Sequence, residues 1–160
     1  MTSIDLILKE LGSSVEWLKS TIADFTDAEM LTRPAPAANH PLYQLGHLCA
    51  GEIGLMAYCK KGIHSDIPED LGKRFSKEAA KENDPKKLGT KAELLALLEK
   101  IRGQTIAYAK TLKESDLDAP TGVPFAPTVG QMLILQSGHI SMHMGQMQVA
   151  RRTLGKPILF

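Results

Sequence analysis

The side chains with the clearest chemical potential in this 160-residue chain are two histidines four positions apart, His139 and His143. On a helix that spacing places both imidazoles on one face, one turn apart, where they can grip a single ion. Position 140 is Ile, so the glutamate of a helical zinc-peptidase motif is missing and that chemistry is ruled out. A bare His-x3-His has two readings, a metal-binding pair or a structural or exposed pair. The walk through Val129, Met132, Gln136, His139, His143, Gln146 and Ala150 steps by fours and threes, which ordinarily marks an apolar seam. Its centre is instead Gln, His, His, Gln, and polar groups on a packed face are costly unless they find partners.

A further histidine, His47, heads a helical stripe that continues through Gly51, Gly54 and Tyr58. Glycine costs a helix roughly 1 kcal/mol against alanine. Two glycines along the histidine's face therefore point either to space kept for a ligand or to close helix packing. Three neutral imidazoles without an evident carboxylate suit zinc, nickel, cobalt or ferrous iron, with positions left for water or substrate. Glu52 lies five residues after His47 and points about 140° away from it on a helix. A salt bridge is expected of it, and general-base work only if packing turns it inward. Gln136 and Gln146 either orient a histidine or a bound water, or are satisfied core groups. His40 and His64 read as cap or surface residues, and Trp17 and Tyr43 as packing aromatics or dimer contacts.

Four helices must position these groups, and no stretch shows the alternation of a strand. Ile4, Leu8, Leu11, Val15, Leu18, Ile22 and Phe25 form the seam of the first, which is expected to end near Asp27. The second is expected from Asn39–Pro41 to about Lys61, where Gly62 stops it. Thr90 with Glu93 and Thr128 with Gln131 are capping boxes that open the third and fourth. The fourth runs to Leu154 ahead of Gly155 and Pro157, and its last-turn Arg151 and Arg152 suit the helix dipole. Residues 62–89 form a long polar link, and residues 113–127, with prolines 120, 124 and 127, an ordered lid over one end.

Composition narrows the partners. The chain is 43% hydrophobic, with 19 basic against 18 acidic residues and a formal charge of +1, so neither nucleic acid nor an anionic membrane is expected. No apolar run reaches the ~18–20 residues of a membrane span, and the N-terminus lacks the basic leader of a secretion signal. Cys49 and Cys59 lie about 15 Å apart if on one helix, too far for a disulfide. Free thiols point to a reducing, cytoplasmic setting. One domain spanning residues 1–160 is expected.

Two segments carry a resemblance. Asn39-His-Pro-Leu-Tyr-Gln-Leu-Gly-His47, followed by Glu52, and His139-Ile-Ser-Met-His143-Met-Gly-Gln146 resemble the DinB/YfiT-like superfamily, as does the ending Arg151-Arg-Thr-Leu-Gly-Lys-Pro157. The likeness extends over essentially the whole chain. It implies an all-α fold: a four-helix bundle, up-down-down-up, with a long crossover between the second and third helices, often as a homodimer. It also implies one divalent metal ion (Zn, Ni, Fe or Co) held by His47, His139 and His143. Some relatives are thiol transferases and others hydrolases, so the triad supports the metal without selecting the reaction. The expected function is a metal-dependent thiol (S-)transferase or hydrolase acting on a small organic or thiol substrate, its catalytic residues unassigned. Substrate would enter by a mouth between the second and fourth helices, lined by residues 120–127. The alternative is a non-catalytic helical dimer in which the metal or the buried histidines are structural.

Overall fold

Each long helix begins where a side chain serves the helix's own first amide groups. In the computed structural model, which describes residues 1–159, helix α1 spans Ser3–Ile22 behind the reciprocal cap of Thr2 and Asp5. Helix α2 spans Pro41–Met56, with Pro41 in its first turn. Its cap is His40, whose Nδ1 accepts from the Tyr43 amide at 3.0 Å while its Nε2 lies 2.9 Å from the Glu82 carbonyl. Two one-turn helices follow, α3 at Leu71–Arg74 and α4 at Pro85–Leu88. Helix α5, Lys91–Ala109, and helix α6, Val129–Thr153, open on the two capping boxes that the sequence predicts. No strand occurs among the described residues, and none of their helices is long and apolar enough to cross a membrane.

The four long helices pack α1 against α6 and α5, and α2 against α5 and α6. Their interior has two apolar clusters. One gathers Val15, Leu18, Leu45, Leu48, Leu98 and Ile140, and the other Ile7, Leu11, Met56, Ala109, Met132 and Leu133. Between them, every long helix contributes buried polar side chains: Ser14 from α1, Glu52 from α2, Arg102 and Thr105 from α5, Gln136 and Ser137 from α6.

Arg102 organises that layer. Its Nε donates to Glu52 Oε1 at 2.9 Å and one terminal nitrogen to Oε2 at 2.9 Å, a forked ion pair with both side chains 3% exposed. The other terminal nitrogen donates to the Leu11 carbonyl at 2.6 Å and to Ser14 Oγ at 2.9 Å. The Gln136 carbonyl accepts at 3.3 Å, and Thr105 Oγ1 donates to Glu52 at 2.6 Å. One guanidinium thus reaches all four long helices. Glu52 has the salt-bridge role expected of it and faces α5.

Three expectations need correction. Helix α1 stops at Ile22, short of Asp27, because the Lys91 ammonium takes the carbonyls that end it, Ile22 at 3.2 Å and Ala23 at 3.1 Å. Helix α2 stops at Met56, short of Lys61; the Tyr58 and Cys59 amides tighten onto carbonyls three residues back, and Tyr58 ends 59% exposed. Residues 62–89 are more than a polar link, since they insert Leu71, Phe75 and Leu88 into the core. Phe75 packs on Gly46 of α2, where a β-carbon would sit 2.1 Å from the ring, so any other residue there must displace that buried ring.

Removing one member of the Arg102–Glu52 pair strands the other charge in the core, which typically costs about 3–5 kcal/mol. We expect Glu52→Ala to lower the unfolding free energy in urea by that order. A loss under about 1 kcal/mol would show that the pair does not hold the helices together.

Candidate metal centre

His47 of α2 and His139 and His143 of α6 meet on the first cluster's side of the polar layer. One nitrogen from each lies within 4.8 Å of the others, and no Asp, Glu or Cys joins the group. The ring centroids are 4.8–5.2 Å apart and the rings stand edge-on to one another, so nitrogen edges converge instead of faces stacking. The Nε2 atoms of His139 and His143 face each other at 3.1 Å. Two ligands on one tetrahedral zinc ion stand about 3.3 Å apart, given Zn–N bonds near 2.0–2.1 Å. The pair therefore already has ligand spacing, and the donor set fits a borderline divalent ion with further positions open to exogenous ligands.

Local sequence explains how the rings come so close. A β-carbon on Gly51 would stand 3.0 Å from His139 Cε1, so this glycine makes room for the His139 imidazole. Of the two readings of the glycine stripe, close packing against α6 is what Gly51 shows. Gly54 has no neighbour within 4 Å, and Tyr58 lies beyond the helix. Tyr43 stacks on His47 with centroids 6.0 Å apart and anchors its hydroxyl to the Ser76 carbonyl at 2.8 Å, a packing role. Gln44, which the sequence reading did not single out, sits 3.1 Å from His143 Nδ1. Its signal was available: an amide one turn before His47 on an otherwise apolar stretch.

Burial sets the protonation states. It pushes the His143 imidazole down to about 3, with His139 and His47 adding repulsion. Burial also lowers His139, and the neighbouring His47 adds to it. His47 is lowered by burial and by Lys77, against the opposing pull of the Phe75 carbonyl. Neutral imidazoles, the form that binds metal, are thus the resting state near pH 7.

The remaining candidates separate clearly. Gln136 is buried; its Nε2 donates to the Met132 carbonyl at 2.9 Å and its Oε1 has no partner, so only half of it is a satisfied core group. Gln146 is exposed and lines a cavity of about 200 Å³ with Pro34, Ala38, Gln44 and Val149. His40 is the cap expected of it, fully buried, and the half-buried His64 lies 3.0 Å from Thr105 Oγ1. Arg151 is buried as well; it pairs with Asp24 and donates to the Thr21 carbonyl, a role that its position in the last turn did not reveal. Both cysteines are free, and burial raises both thiols, Cys59 to about 11, which makes them poor nucleophiles. The lid segment packs Val123 and Ala126 into the second cluster with Met56 and Met132, across the polar layer from the histidines. The expected mouth along residues 120–127 is thus misplaced. The histidines instead neighbour the segment that carries Phe75 and Lys77.

Comparison with known proteins bears on the family and the fold. Residues 16–147 match the sequence profile of the DinB superfamily. Among curated proteins nothing matches. A crystal structure of a conserved protein from Enterococcus faecalis superimposes with a TM-score of 0.68 at 24% identity, covering 98% of this chain and 99% of that one. That likeness concerns the fold.

Below 6.5 an unfolded His143 takes up a proton that the folded one resists until about 3. The unfolded chain therefore holds more protons in that window, and stability is complete above it and falls as pH falls. We expect the Tm of metal-free protein to decline from pH 6.5 downward, before the carboxylates titrate, and His143→Gln to flatten the decline. A Tm independent of pH across that interval would contradict the buried neutral cluster.

Proposed function

The chain belongs to the DinB superfamily, and we propose that it is a metal-dependent enzyme of the thiol-transferase or hydrolase type, with one divalent ion held by His47, His139 and His143. The observation that carries this reading is the uncharged donor set: three converging imidazoles with no carboxylate among them. When bound, the ion supplies a Lewis acid that lowers the pKa of a coordinated thiol or water. The chain's own residues do the rest. His143, 6% exposed, forms the dry floor of the site, and the part-exposed His47 and His139 form its open side.

We read the four long helices as an up-down-down-up bundle. Apolar cluster, polar layer and apolar cluster follow one order along α1 and α6 and the reverse along α2 and α5. Arg102 ties these helices together through protein groups alone, which supports a catalytic over a structural metal. The free cysteines fit a reducing, cytoplasmic setting.

Untagged protein is expected to carry about one metal ion per chain, the occupancy of a single three-ligand site. Replacing all three histidines with alanine is expected to abolish binding, and the apo protein to remain folded. Metal that survives the triple replacement would remove the site from consideration, and an apo protein that unfolds would make the metal structural. Rates of thiol addition to an electrophile and of ester or amide hydrolysis, compared between loaded and apo protein, then choose the reaction. No metal-dependent rate in either assay would leave the non-catalytic reading.

We also propose that the protein is a homodimer that joins through α1 and α6. These adjacent helices expose Leu6 and Trp17, and Ile134, Met142 and Val149, each at least half exposed. Trp17→Glu is expected to yield a folded monomer in sedimentation equilibrium. A monomeric parent protein, or a dimer undisturbed by the change, would count against this face.

A further inference from the structure

Gln44 belongs to the first turns of α2, is 1% exposed, and cannot exchange its partners for water. Its amide orientation is dictated by chemistry. The Nε2 group lies 2.7 Å from the Asn39 carbonyl, which can only accept, so the nitrogen must stand there and the oxygen must point the other way. That oxygen lies 3.1 Å from His143 Nδ1. Two acceptors cannot share a hydrogen bond, so Nδ1 carries the proton and donates it to Gln44 Oε1. His143 Nε2 is then a bare lone pair, and it is the atom that faces His139 Nε2 at 3.1 Å.

The far end of this relay is also fixed. Arg33 donates to the Ala38 carbonyl at 2.9 Å and to the Ala80 carbonyl at 2.9 Å, and His40 contacts the Glu82 carbonyl at 2.9 Å. Residues 38–40 are therefore held against the segment between α3 and α4, and the Asn39 carbonyl presents a set direction to Gln44. We infer that Gln44 is a positioning residue that fixes the Nδ1–H tautomer of His143, so that Nε2 is presented as the metal ligand. The inference rests on the metal reading for its purpose, while the tautomer itself is a property of the metal-free protein.

Without the Gln44 acceptor, an Nδ1–H in this buried pocket would have no partner, and the proton would move to Nε2, where His139 Nε2 accepts it once the His139 proton stands on its own Nδ1. A metal ion would then have to displace that proton and turn an untethered ring. Loss of such a second partner commonly costs 10–100-fold in metal affinity.

The test reads the ring nitrogens of His143 by long-range proton–nitrogen correlation in metal-free protein, alongside zinc titration. The parent protein is expected to show Nδ1–H. Gln44→Met keeps the length and packing of the side chain and is expected to shift the ring to Nε2–H and to weaken zinc binding about 10–100-fold. Gln44→Glu, buried as the neutral acid, donates its O–H to the Asn39 carbonyl and accepts at its other oxygen, and is expected to restore the Nδ1–H tautomer and most of the affinity, with no such rescue if Gln44 merely fills space. An Nε2–H ring in the parent protein, or an Nδ1–H ring retained in the methionine variant, would overturn the inference; so would unchanged zinc affinity despite a switched tautomer. Should the parent protein take up no zinc, the metal reading fails, and the tautomer data still decide what Gln44 does.

Discussion

A single guanidinium reaches all four long helices, and the fold is arranged around satisfying it. Burying Arg102 is tolerable only because Glu52, Ser14, Leu11 and Gln136 converge on its donors. The directional fork fixes the axial position of each helix, which greasy contacts alone do poorly, because apolar seams with a common repeat can slide by a turn. Registration of α2 against α6 is the step that matters for chemistry. It brings His47 level with His139 and His143, and a slip of one turn would move His47 about 5 Å from its partners.

The same layer explains why the site tolerates neutral imidazoles. Among the described residues the one buried carboxylate, Glu52, is committed to Arg102 and Thr105 and is not free to join the histidines. The histidines are left in apolar surroundings that disfavour their charged forms, and an uncharged ligand set results. Position and electrostatics of the site thus both trace to the helix-spanning ion pair, with Gly51 supplying the local room.

Much of this was legible in the sequence where the cause is local. The capping pairs Thr90–Glu93 and Thr128–Gln131 open their helices as expected, and the His139–His143 spacing puts both rings on one face. The meeting of His47 with that pair was implied by resemblance alone, since no local pattern says which helix lies opposite. What stayed hidden is non-local. Arg102 carries no local signal and Arg151 reads as a last-turn charge that suits the helix dipole, because the carbonyls and carboxylates that accept from them lie on other elements. Gly46 looked like any helical glycine until Phe75, 29 residues away, came to rest on it. The end of α2 was misjudged because apolar residues continue past Met56 with no breaker before Gly62.

The polar layer also partitions the molecule. The histidines and the docked segment around Phe75 lie on one side, while Leu117, Val123, Ala126 and the start of α6 lie on the other with Ile7 and Met56. Between the side chains beyond the layer and the histidine half stands a polar seam whose partners are already chosen. That far half is accordingly a modular terminus. Its loop could be lengthened, or a recognition segment grafted into it, with the histidine geometry insulated from the change.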